Sequence, residues 1–339
     1  MKILVTGGAG FIGSHTVVEL INAGYEPIII DNFNNSEKTV LKGLRKILKR
    51  PVKCYEKDCN DVKALEQICK KENIEGIIHF AAYKAVGESV AEPLKYYENN
   101  IGSTLRVLEV MMKLGIKNLV FSSSCTVYGQ PDEIPVTEDT PRKPAASPYG
   151  NTKTICEDIL RDTITAGNPL KIVALRYFNP IGAHPSANIG ELPRGVPSNL
   201  VPFITQTAIG IRQKLTVFGN DYNTSDGTNV RDFIHVVDLA KAHVSALKLL
   251  SNQKDNYYDV FNIGTGRGNT VLEIIKAFEK VNKVKLNYEI GPRRAGDVEK
   301  IYGSVEKSEK LMGWKTEKTL EDSVKDAWRW EKKIAKNKK

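Results

Sequence analysis

Tyr149 and Lys153 are spaced so that a phenol and an ammonium group can lie side by side. Ser147 is a good helix N-cap and Pro148 a good first helical residue, so the sequence predicts a helix that begins here. Residues four apart share one helix face, and a cation beside a phenol lowers its pKa from about 10. Such a tyrosine can take a proton from a substrate hydroxyl and later return it. On its own, the spacing would favour an ordinary surface pair at a helix start.

A glycine-rich turn near the N-terminus gives this pair a context. An apolar strand runs into Gly7, Gly10 and Gly13, and an apolar-periodic helix follows. Glycines at this spacing let the backbone approach a pyrophosphate, whose charge then lies at the helix N-terminus. Asp31 follows the next strand, at the distance expected for the carboxylate that binds an adenosine ribose, and it would repel a 2′-phosphate. The sequence therefore predicts NAD rather than NADP, and a turn that binds nothing is disfavoured.

Other polar side chains are placed to contact the same ligands. Ser124 follows an apolar strand, and in a doubly wound sheet ligands gather at the carboxyl ends of the strands. We therefore expect Ser124 to hydrogen-bond the substrate oxygen that Tyr149 deprotonates. Lys84, which follows the fourth predicted strand, and Asn99, which lies in the next predicted helix, are candidate contacts to cofactor or substrate.

Two arginines in the second half of the chain hint at the kind of substrate. Arg231 and Arg294 carry guanidinium groups, which suit a diphosphate and so favour a nucleotide-linked substrate. A lone arginine is more often a surface charge. The five histidines show no metal-ligand spacing, so we expect no metal site, and His79 in an apolar strand is expected to be a satisfied core residue.

The order of the predicted elements must bring these residues together. Strands and helices alternate through the first half, which predicts an α/β fold with a Rossmann-like, doubly wound parallel sheet and a smaller C-terminal substrate-binding lobe. We expect an NAD-binding domain over 1–178 and a mainly substrate-binding lobe over 179–339, interleaved with the first. Residues 179–199 are rich in Pro, Gly and Asn, which predicts a long functional loop. The predicted strands lie near 2–6, 26–31, 52–57, 75–80, 117–123, 170–176 and 215–217, and the helices near 11–23, 38–49, 61–73, 92–113, 149–166, 200–211, 237–250, 270–282 and 319–331.

Composition excludes several classes of protein. No apolar run is long enough to span a bilayer, and the apolar N-terminal stretch stops too early for a signal peptide. Five cysteines without a Cys-x-x-Cys pair indicate reduced thiols, so we expect a cytoplasmic protein without a membrane partner. The net charge of +9 would suit nucleic acid or an anionic small substrate. Part of it lies in the tail 331–339, and no basic run is interleaved with aromatics, so nucleic acid is disfavoured.

Nearly the whole chain resembles the extended short-chain dehydrogenase/reductase family, and within it the enzymes that epimerise UDP-hexoses at C4. The resemblance rests on residues 6–15, 31–32, 84–89, 122–129, 149–153, 176–184, 219–222 and 230–236. It implies a tightly held NAD, Tyr149 as the base at the sugar 4-hydroxyl, Lys153 as the residue that lowers the tyrosine pKa, and Ser124 as support for the proton transfer. It also implies a transient 4-keto sugar that rotates and takes hydride on its other face, a role in galactose metabolism, and a homodimer formed through the helices near 92–113 and 149–166.

The resemblance also supplies further site residues. Its cofactor shell corresponds to Gly7, Gly10, Phe11, Ile12, Gly13, Asp31, Asn32, Asn35, Ser36, Asp58, Cys59, Phe80, Ala81, Lys84, Asn99, Ser124, Tyr149, Lys153 and Phe178. Its UDP-sugar contacts correspond to Lys84, Ser124, Tyr149, Phe178, Asn179, Asn199, Leu200, Thr216, Val217, Phe218, Arg231, Arg294, Asp297 and Ile301.

Some positions depart from the family pattern. Cys59 stands where the family more often has an aliphatic residue, and Cys125 where it usually has alanine. Ile301 occupies a position that is often tyrosine in enzymes confined to plain hexoses, so we expect room for UDP-N-acetylglucosamine. A nucleotide-sugar 4,6-dehydratase is the rival enzyme, but those enzymes place Asp-Glu where this chain has Cys125-Thr126. A non-enzymatic NAD-binding regulator would need no Ser124, Tyr149 and Lys153 together.

Overall fold

Helices and strands alternate along the chain, as the apolar periodicity predicts. The computed structural model describes residues 1–294 and 297–337. Its strands are β1 (Lys2–Thr6), β2 (Glu26–Asp31), β3 (Cys54–Glu56), β4 (Gly76–His79), β5 (Asn118–Ser122), β6 (Lys171–Tyr177), β7 (Asn179–Ile181), β8 (Leu215–Phe218), β9 (Val230–Arg231), β10 (Phe233–His235), β11 (Tyr257–Ile263), β12 (Asn269–Thr270), β13 (Tyr288–Gly291) and β14 (Lys300–Ile301). Its helices are α1 (Phe11–Asn22), α2 (Thr39–Leu48), α3 (Val62–Glu72), α4 (Val86–Ala91), α5 (Pro93–Leu114), α6 (Pro148–Thr165), α7 (Leu200–Ala208), α8 (Val236–Ser251), α9 (Val271–Asn282), α10 (Glu306–Met312) and α11 (Leu320–Asn337), with a 3-10 helix at Cys125–Tyr128.

A seven-stranded parallel sheet organises the molecule, in the order β11-β6-β5-β4-β1-β2-β3. The strand order reverses between β1 and β4, and doubly wound sheets bind ligands at that switch point. The glycine turn follows β1, and residues 80–84 follow β4, so both lie at this point. The predicted α/β fold with a Rossmann-like sheet is thereby confirmed.

Apolar side chains alternate between the two faces of this sheet. Ile3 and Val5 pack with residues of α1, α2 and α8 on one face, whereas Leu4 packs with residues of α3, α5 and α6 on the other. Strands covered on both faces need apolar residues at every position, which is why the strand sequences are almost continuous apolar runs. This double packing fixes the carboxyl ends of the strands, where the site lies.

The second half of the chain also contributes to the sheet. Strand β11 pairs with β6 over its full length, and α8 packs against α1. The sequence analysis predicted no strand near 257–263, because Tyr257, Tyr258 and Asp259 interrupt the apolar pattern at its outer end. The sheet therefore extends beyond residue 178 and includes a strand from the region that was assigned to the substrate-binding lobe.

The remaining C-terminal residues form a smaller lobe with a core of its own. Helices α7, α9 and α11 enclose apolar residues such as Phe278 and Trp328, whose rings meet edge to face. Three short sheets, β12-β9-β14, β13-β8 and β10-β7, lie in this part of the chain. Within residues 1–294 and 297–337, no helix has both the length and the apolar character needed to cross a bilayer.

Candidate active site

Helix α6 begins where the sequence predicts, and its first turn carries Tyr149. Ser147 caps the helix, because its hydroxyl accepts a hydrogen bond from the Gly150 amide at 3.2 Å. Pro148 is the first helical residue, where its missing N–H costs nothing. Tyr149 is half-buried.

Lys153 lies one turn further along α6 and is almost completely buried. Its Nζ donates to the Ser122 carbonyl at the end of β5, at 2.6 Å, and lies 5.0 Å from the centre of the Phe121 ring. Burial disfavours the charged form and lowers the pKa of Lys153 to about 8, while the nearby Cys156 and Glu157 oppose that change. The ammonium is therefore held at the carboxyl end of a central strand.

Ser124 and Tyr149 are brought together as predicted. Ser124 precedes the 3-10 helix, its hydroxyl oxygen accepts from the Thr126 amide at 3.2 Å, and it lies close enough to the Tyr149 hydroxyl to influence its pKa. Burial raises the pKa of Tyr149 above its ordinary value, and the Ser124 hydroxyl works in the opposite direction. The expectation of a lowered tyrosine pKa was wrong, because desolvation outweighs the neighbours and Lys153 directs a hydrogen bond to Ser122.

The glycine turn has the geometry of a dinucleotide cradle. Gly7 has a φ of +67°, and a Cβ there would lie 2.9 Å from the Ala81 amide nitrogen. A Cβ on Gly13 would clash with the Gly7 carbonyl, so both positions exclude side chains. Helix α1 has Gly10 as its N-cap and no side-chain cap, which suits an anion at its N-terminus. These residues fit the pyrophosphate of NAD.

Asp31 is held in one orientation at the end of β2. Its Oδ2 accepts from the Ala9 amide at 3.0 Å, and its Oδ1 accepts from the Phe33 amide at 2.9 Å and the Ser36 hydroxyl at 2.8 Å. Each carboxylate oxygen can accept more than one hydrogen bond, so Asp31 can still accept from ribose hydroxyls. The Ala9 contact places it beside the glycine turn, as the sequence analysis predicts.

The other residues predicted for the cofactor surround this turn. Asn32 donates to the Asp58 carboxylate at 2.9 Å, and Asn60 links Asp58 to Asn99 on α5. Ala81 donates its amide to Thr6 at 3.3 Å, which fixes the chain after β4. The structure leaves Asn35 exposed, buries Cys59, and places Phe11, Ile12 and Phe80 half-buried along α1 and the end of β4.

The arginines predicted for a diphosphate meet at one carboxylate. Arg294 donates two hydrogen bonds to the Asp297 carboxylate, at 2.6 and 3.1 Å. The Arg231 guanidinium lies 3.8 Å from the same carboxylate. The Arg294 guanidinium lies 5.7 Å from the centre of the Phe218 ring. Phe218 is exposed, whereas the side chain of Val217 is buried in the core of the C-terminal lobe, so Val217 can contact a substrate only through its backbone. In a strand, neighbouring side chains point to opposite faces, and Thr216 and Phe218 share the outer one.

Glu191, which the sequence analysis did not single out, links two residues that were predicted to bind ligands, Lys84 and Asn199. One oxygen of Glu191, Oε1, accepts from Lys84 at 3.2 Å and from Asn199 at 2.6 Å. Glu191 lies in the long loop that the sequence predicts to be functional, but nothing in its local pattern singles it out. Asn199 is the N-cap of α7, and Leu200 begins that helix.

Several apolar residues close the site next to Ser124. Cys125, Phe178 and Ile301 belong to one small buried cluster. Ile301 lies on β14 opposite Arg231 on β9. Phe178 packs against Gly264 and Gly303, where a Cβ would collide with its ring, and Asn179 donates its amide to the Asp232 carbonyl. The position predicted to gate the sugar therefore lies between the Ser124 segment and the arginines.

A buried ion pair joins helix α6 to strand β6, and the sequence analysis did not predict it. Arg176 on β6 binds both oxygens of Glu157 on α6, at distances between 2.7 and 3.2 Å. Glu157 also accepts from the Ser123 hydroxyl at 2.5 Å. Glu157 follows Lys153 by four residues, and this spacing on one helix face was the available signal. His79 is a core residue whose ring nitrogens both have partners, as predicted, because it hydrogen-bonds Thr6 at 2.7 Å and Ser103 at 3.3 Å.

The parallel sheet has a glycine turn at its switch point, and helix α6 carries tyrosine and lysine in its first two turns. Together these features define an extended short-chain dehydrogenase/reductase. The sequence pattern of the GDP-mannose 4,6 dehydratase family, which is of this type, matches residues 4–327. The chain belongs, within that class, to the UDP-glucose 4-epimerase family, as the following relatives show.

The UDP-glucose 4-epimerase of Bacillus subtilis (strain 168) is 50% identical over 331 residues, which are 98% of this chain and 97% of the relative. The crystal structure of UDP-glucose 4-epimerase from Bifidobacterium longum, in complex with NAD+ and UDP, is 47% identical, covers 99% of each chain and has a TM-score of 0.95. The structure of the UDP-Glc/GlcNAc 4-epimerase from Campylobacter jejuni is 38% identical over 98% of this chain and 99% of that one, with a TM-score of 0.84.

Proposed function

We propose that this protein interconverts UDP-galactose and UDP-glucose by reversible epimerisation at C4 of the sugar, with a retained NAD. The observation that carries the proposal is the proximity of Ser124 to the Tyr149 hydroxyl, beside buried Lys153, whose Nζ donates to the Ser122 carbonyl at the carboxyl end of β5. Family membership supports the same activity.

Tyr149 is the proton acceptor in this proposal. Its phenolate oxygen would take the proton of the sugar 4-hydroxyl, and the Ser124 hydroxyl would donate a hydrogen bond that stabilises that phenolate. Bound NAD would supply the hydride acceptor for the oxidation of C4 and the hydride donor for its reduction. Lys153 holds its ammonium at the carboxyl end of β5. Return of the proton from Tyr149 to the sugar oxygen completes the turnover, after the 4-keto sugar has turned its other face.

The binding residues divide between the two parts of the chain. Gly7, Gly10, Gly13 and Asp31 would hold NAD on the sheet, with the remaining predicted cofactor residues around them. Arg231 and Arg294 would hold the diphosphate, because guanidinium forks match phosphate oxygens and both arginines lie near the Asp297 carboxylate. Their shared partner Asp297 keeps both guanidinium groups in place.

A 4,6-dehydratase is disfavoured even though the matching family pattern carries that name. Dehydration needs an acid and a base after the serine. The residues here are Cys125, whose pKa burial raises to about 12, and Thr126, which carries no titratable group. A 4-keto-6-deoxy sugar as the product would overturn the epimerase proposal.

The first experiment incubates the purified protein with UDP-galactose and no added NAD, and follows UDP-glucose. Product is expected, because the proposed cofactor is retained. If UDP-glucose forms only after NAD is added, the epimerase reaction is supported but the retention of NAD is refuted. If no UDP-glucose forms in either condition, 4-epimerisation of these sugars is refuted.

We also propose that the sugar pocket admits N-acetylated UDP-sugars. Ile301 is smaller than tyrosine and lies in the cluster with Cys125 and Phe178. The Campylobacter jejuni relative is a UDP-Glc/GlcNAc enzyme by its title, which makes such a substrate chemically compatible with this fold. Good turnover of UDP-galactose without any turnover of UDP-N-acetylglucosamine would refute this part.

A homodimer in the cytoplasm remains our proposal for the state of the protein. Helices α5 and α6 pack side by side, and α5 exposes Leu105 and Met112, seven residues apart on one face. Sedimentation analysis at micromolar concentration should give twice the mass of the chain, and Leu105→Glu should give a monomer.

The cysteines support the proposed location. All five are free thiols, which suits a reducing compartment.

A further inference from the structure

The loop over residues 188–199 crosses from the C-terminal lobe to the cofactor-binding half of the chain. At its start, the Asn188 carbonyl lies against α2, so closely that a Cβ on Gly43 would clash with it, and Lys333 donates to the Asn188 side chain at 2.6 Å. Trp330 on α11 donates its indole N–H to the Glu191 carbonyl at 2.9 Å. The loop is therefore anchored from two sides before it reaches Arg194.

Arg194 binds a second loop, which carries predicted cofactor residues. Its guanidinium donates to the carbonyls of Asn34 at 2.6 Å, Phe33 at 2.9 Å and Ser36 at 2.7 Å. These three carbonyls belong to the turn over residues 33–36, between β2 and α2. A planar fork with five N–H donors can satisfy three carbonyls at once, which a lysine ammonium on a flexible stem does less well.

The same turn orients Asp31. The Phe33 amide and the Ser36 hydroxyl both donate to Asp31 Oδ1, at 2.9 and 2.8 Å. Phe33 has a φ of +56°, a left-handed conformation that costs free energy in a non-glycine residue and needs support from its surroundings. Arg194 supplies such support, because it binds the carbonyl of Phe33 itself.

We propose that Arg194 is a positioning residue for the cofactor, which holds the 33–36 turn closed around Asp31 and so slows the release of NAD. The inference rests on the proposed NAD site. It goes beyond the residues assigned to that site, because Arg194 binds backbone carbonyls rather than the ligand. Its side chain lies on the surface, so its substitution leaves the core intact.

The test measures how fast purified holoenzyme loses NAD, with an enzyme that consumes free NAD as the trap. Arg194→Ala should release NAD about tenfold faster, the equivalent of losing one charge-assisted hydrogen bond. Arg194→Lys should fall between this variant and the wild type. Arg45→Ala removes another exposed arginine, on α2, and should release NAD at the wild-type rate.

Two further readouts separate positioning from general stability. The melting temperature of NAD-stripped Arg194→Ala should equal that of the stripped wild type, whereas the stabilisation gained on adding NAD should be smaller. Turnover at saturating NAD should match the wild type. Unchanged NAD release in Arg194→Ala, or an equal loss of melting temperature with and without NAD, would overturn the inference. A wild-type protein that binds no NAD would refute the proposed function as well.

Discussion

A tyrosine whose pKa is raised by burial cannot act as a base at neutral pH until its surroundings change. Desolvation dominates the pKa of Tyr149, and among the strongest influences only the nearby Ser124 hydroxyl favours the phenolate. Lys153 lies on the same helix face, but its pKa is itself lowered to about 8. At neutral pH Tyr149 is therefore an uncharged phenol while Lys153 stays mostly protonated, and a positive charge brought close to the phenol would strongly favour its phenolate in this buried environment.

Removal of the Tyr149 hydroxyl tests its role as the acid and base. Tyr149→Phe should lower kcat by about 10²- to 10⁴-fold, because general acid–base catalysis contributes a factor of that size. The NAD content of the purified protein should stay at the wild-type value, since the glycine turn and Asp31 are untouched. A kcat within tenfold of the wild type would remove Tyr149 from the chemistry, and a protein that only senses NAD would lose nothing.

The side chain at position 301 should decide the size of the sugar that is accepted. Ile301→Tyr fills the buried cluster beside Cys125, so turnover of UDP-N-acetylglucosamine should fall at least tenfold, while turnover of UDP-galactose changes little. The measurement is kcat/KM for both sugars. Ile301→Val, which enlarges the space by one methyl, is the matched control and should retain both activities.

At the scale of elements, the site depends on how α6 meets β5 and β6. The Glu157–Arg176 ion pair is almost completely buried, and Arg176 also donates to Tyr128 at 3.1 Å, above whose ring it lies. Ser123 donates to the same carboxylate. Removing one partner of such a pair leaves an uncompensated buried charge. The pair therefore fixes the helix that carries Tyr149 and Lys153 against the strand that carries Ser124.

Substitution of Glu157 should weaken both stability and the charge of Lys153. Glu157→Gln should lower the free energy of unfolding by about 3 kcal/mol, because Arg176 loses its counter-charge. Glu157 also raises the Lys153 pKa, so its loss should shift the alkaline decline in activity, expected near pH 8, to lower pH. Asp162→Asn, on the exposed side of α6, is the control and should change neither. An unshifted alkaline decline would limit Glu157 to a structural role.

The sequence predicts those parts of the site whose signal is local. Gly7, Gly13 and Asp31 follow strands in order, and Tyr149 and Lys153 share one helical turn, so their positions follow from periodicity alone. Glu191 and Arg194 were not predicted, because Lys84, a partner of Glu191, and the carbonyls that Arg194 binds lie more than 100 residues away in the chain, and only the fold brings them together. Strand β11 was missed for a related reason: it pairs with one neighbour, and its outer residues are polar.

At the scale of the whole molecule, buried histidines stand out because the packing of the sheet depends on their neutrality. His15 and His243 lie on α1 and α8, and each hydrogen-bonds a carbonyl one turn earlier, at 2.7 and 2.8 Å. His79 lies within β4. Burial lowers the pKa of His15 and His79 to about 3 and that of His243 to about 4. All three are therefore uncharged in the folded protein at any pH above about 5.

The protein should lose stability steeply between pH 6.5 and pH 4. The unfolded chain protonates these histidines near pH 6.5, whereas the folded protein does so only near pH 3 to 4, so stability is complete above 6.5 and falls with acidification. Between pH 7 and pH 5, each histidine should cost about 2 kcal/mol of unfolding free energy. Urea denaturation at the two pH values measures this loss. His79→Asn cannot take up that proton and should lose about 2 kcal/mol less than the wild type over the same interval, and equal losses would show that His79 is not held neutral by the fold.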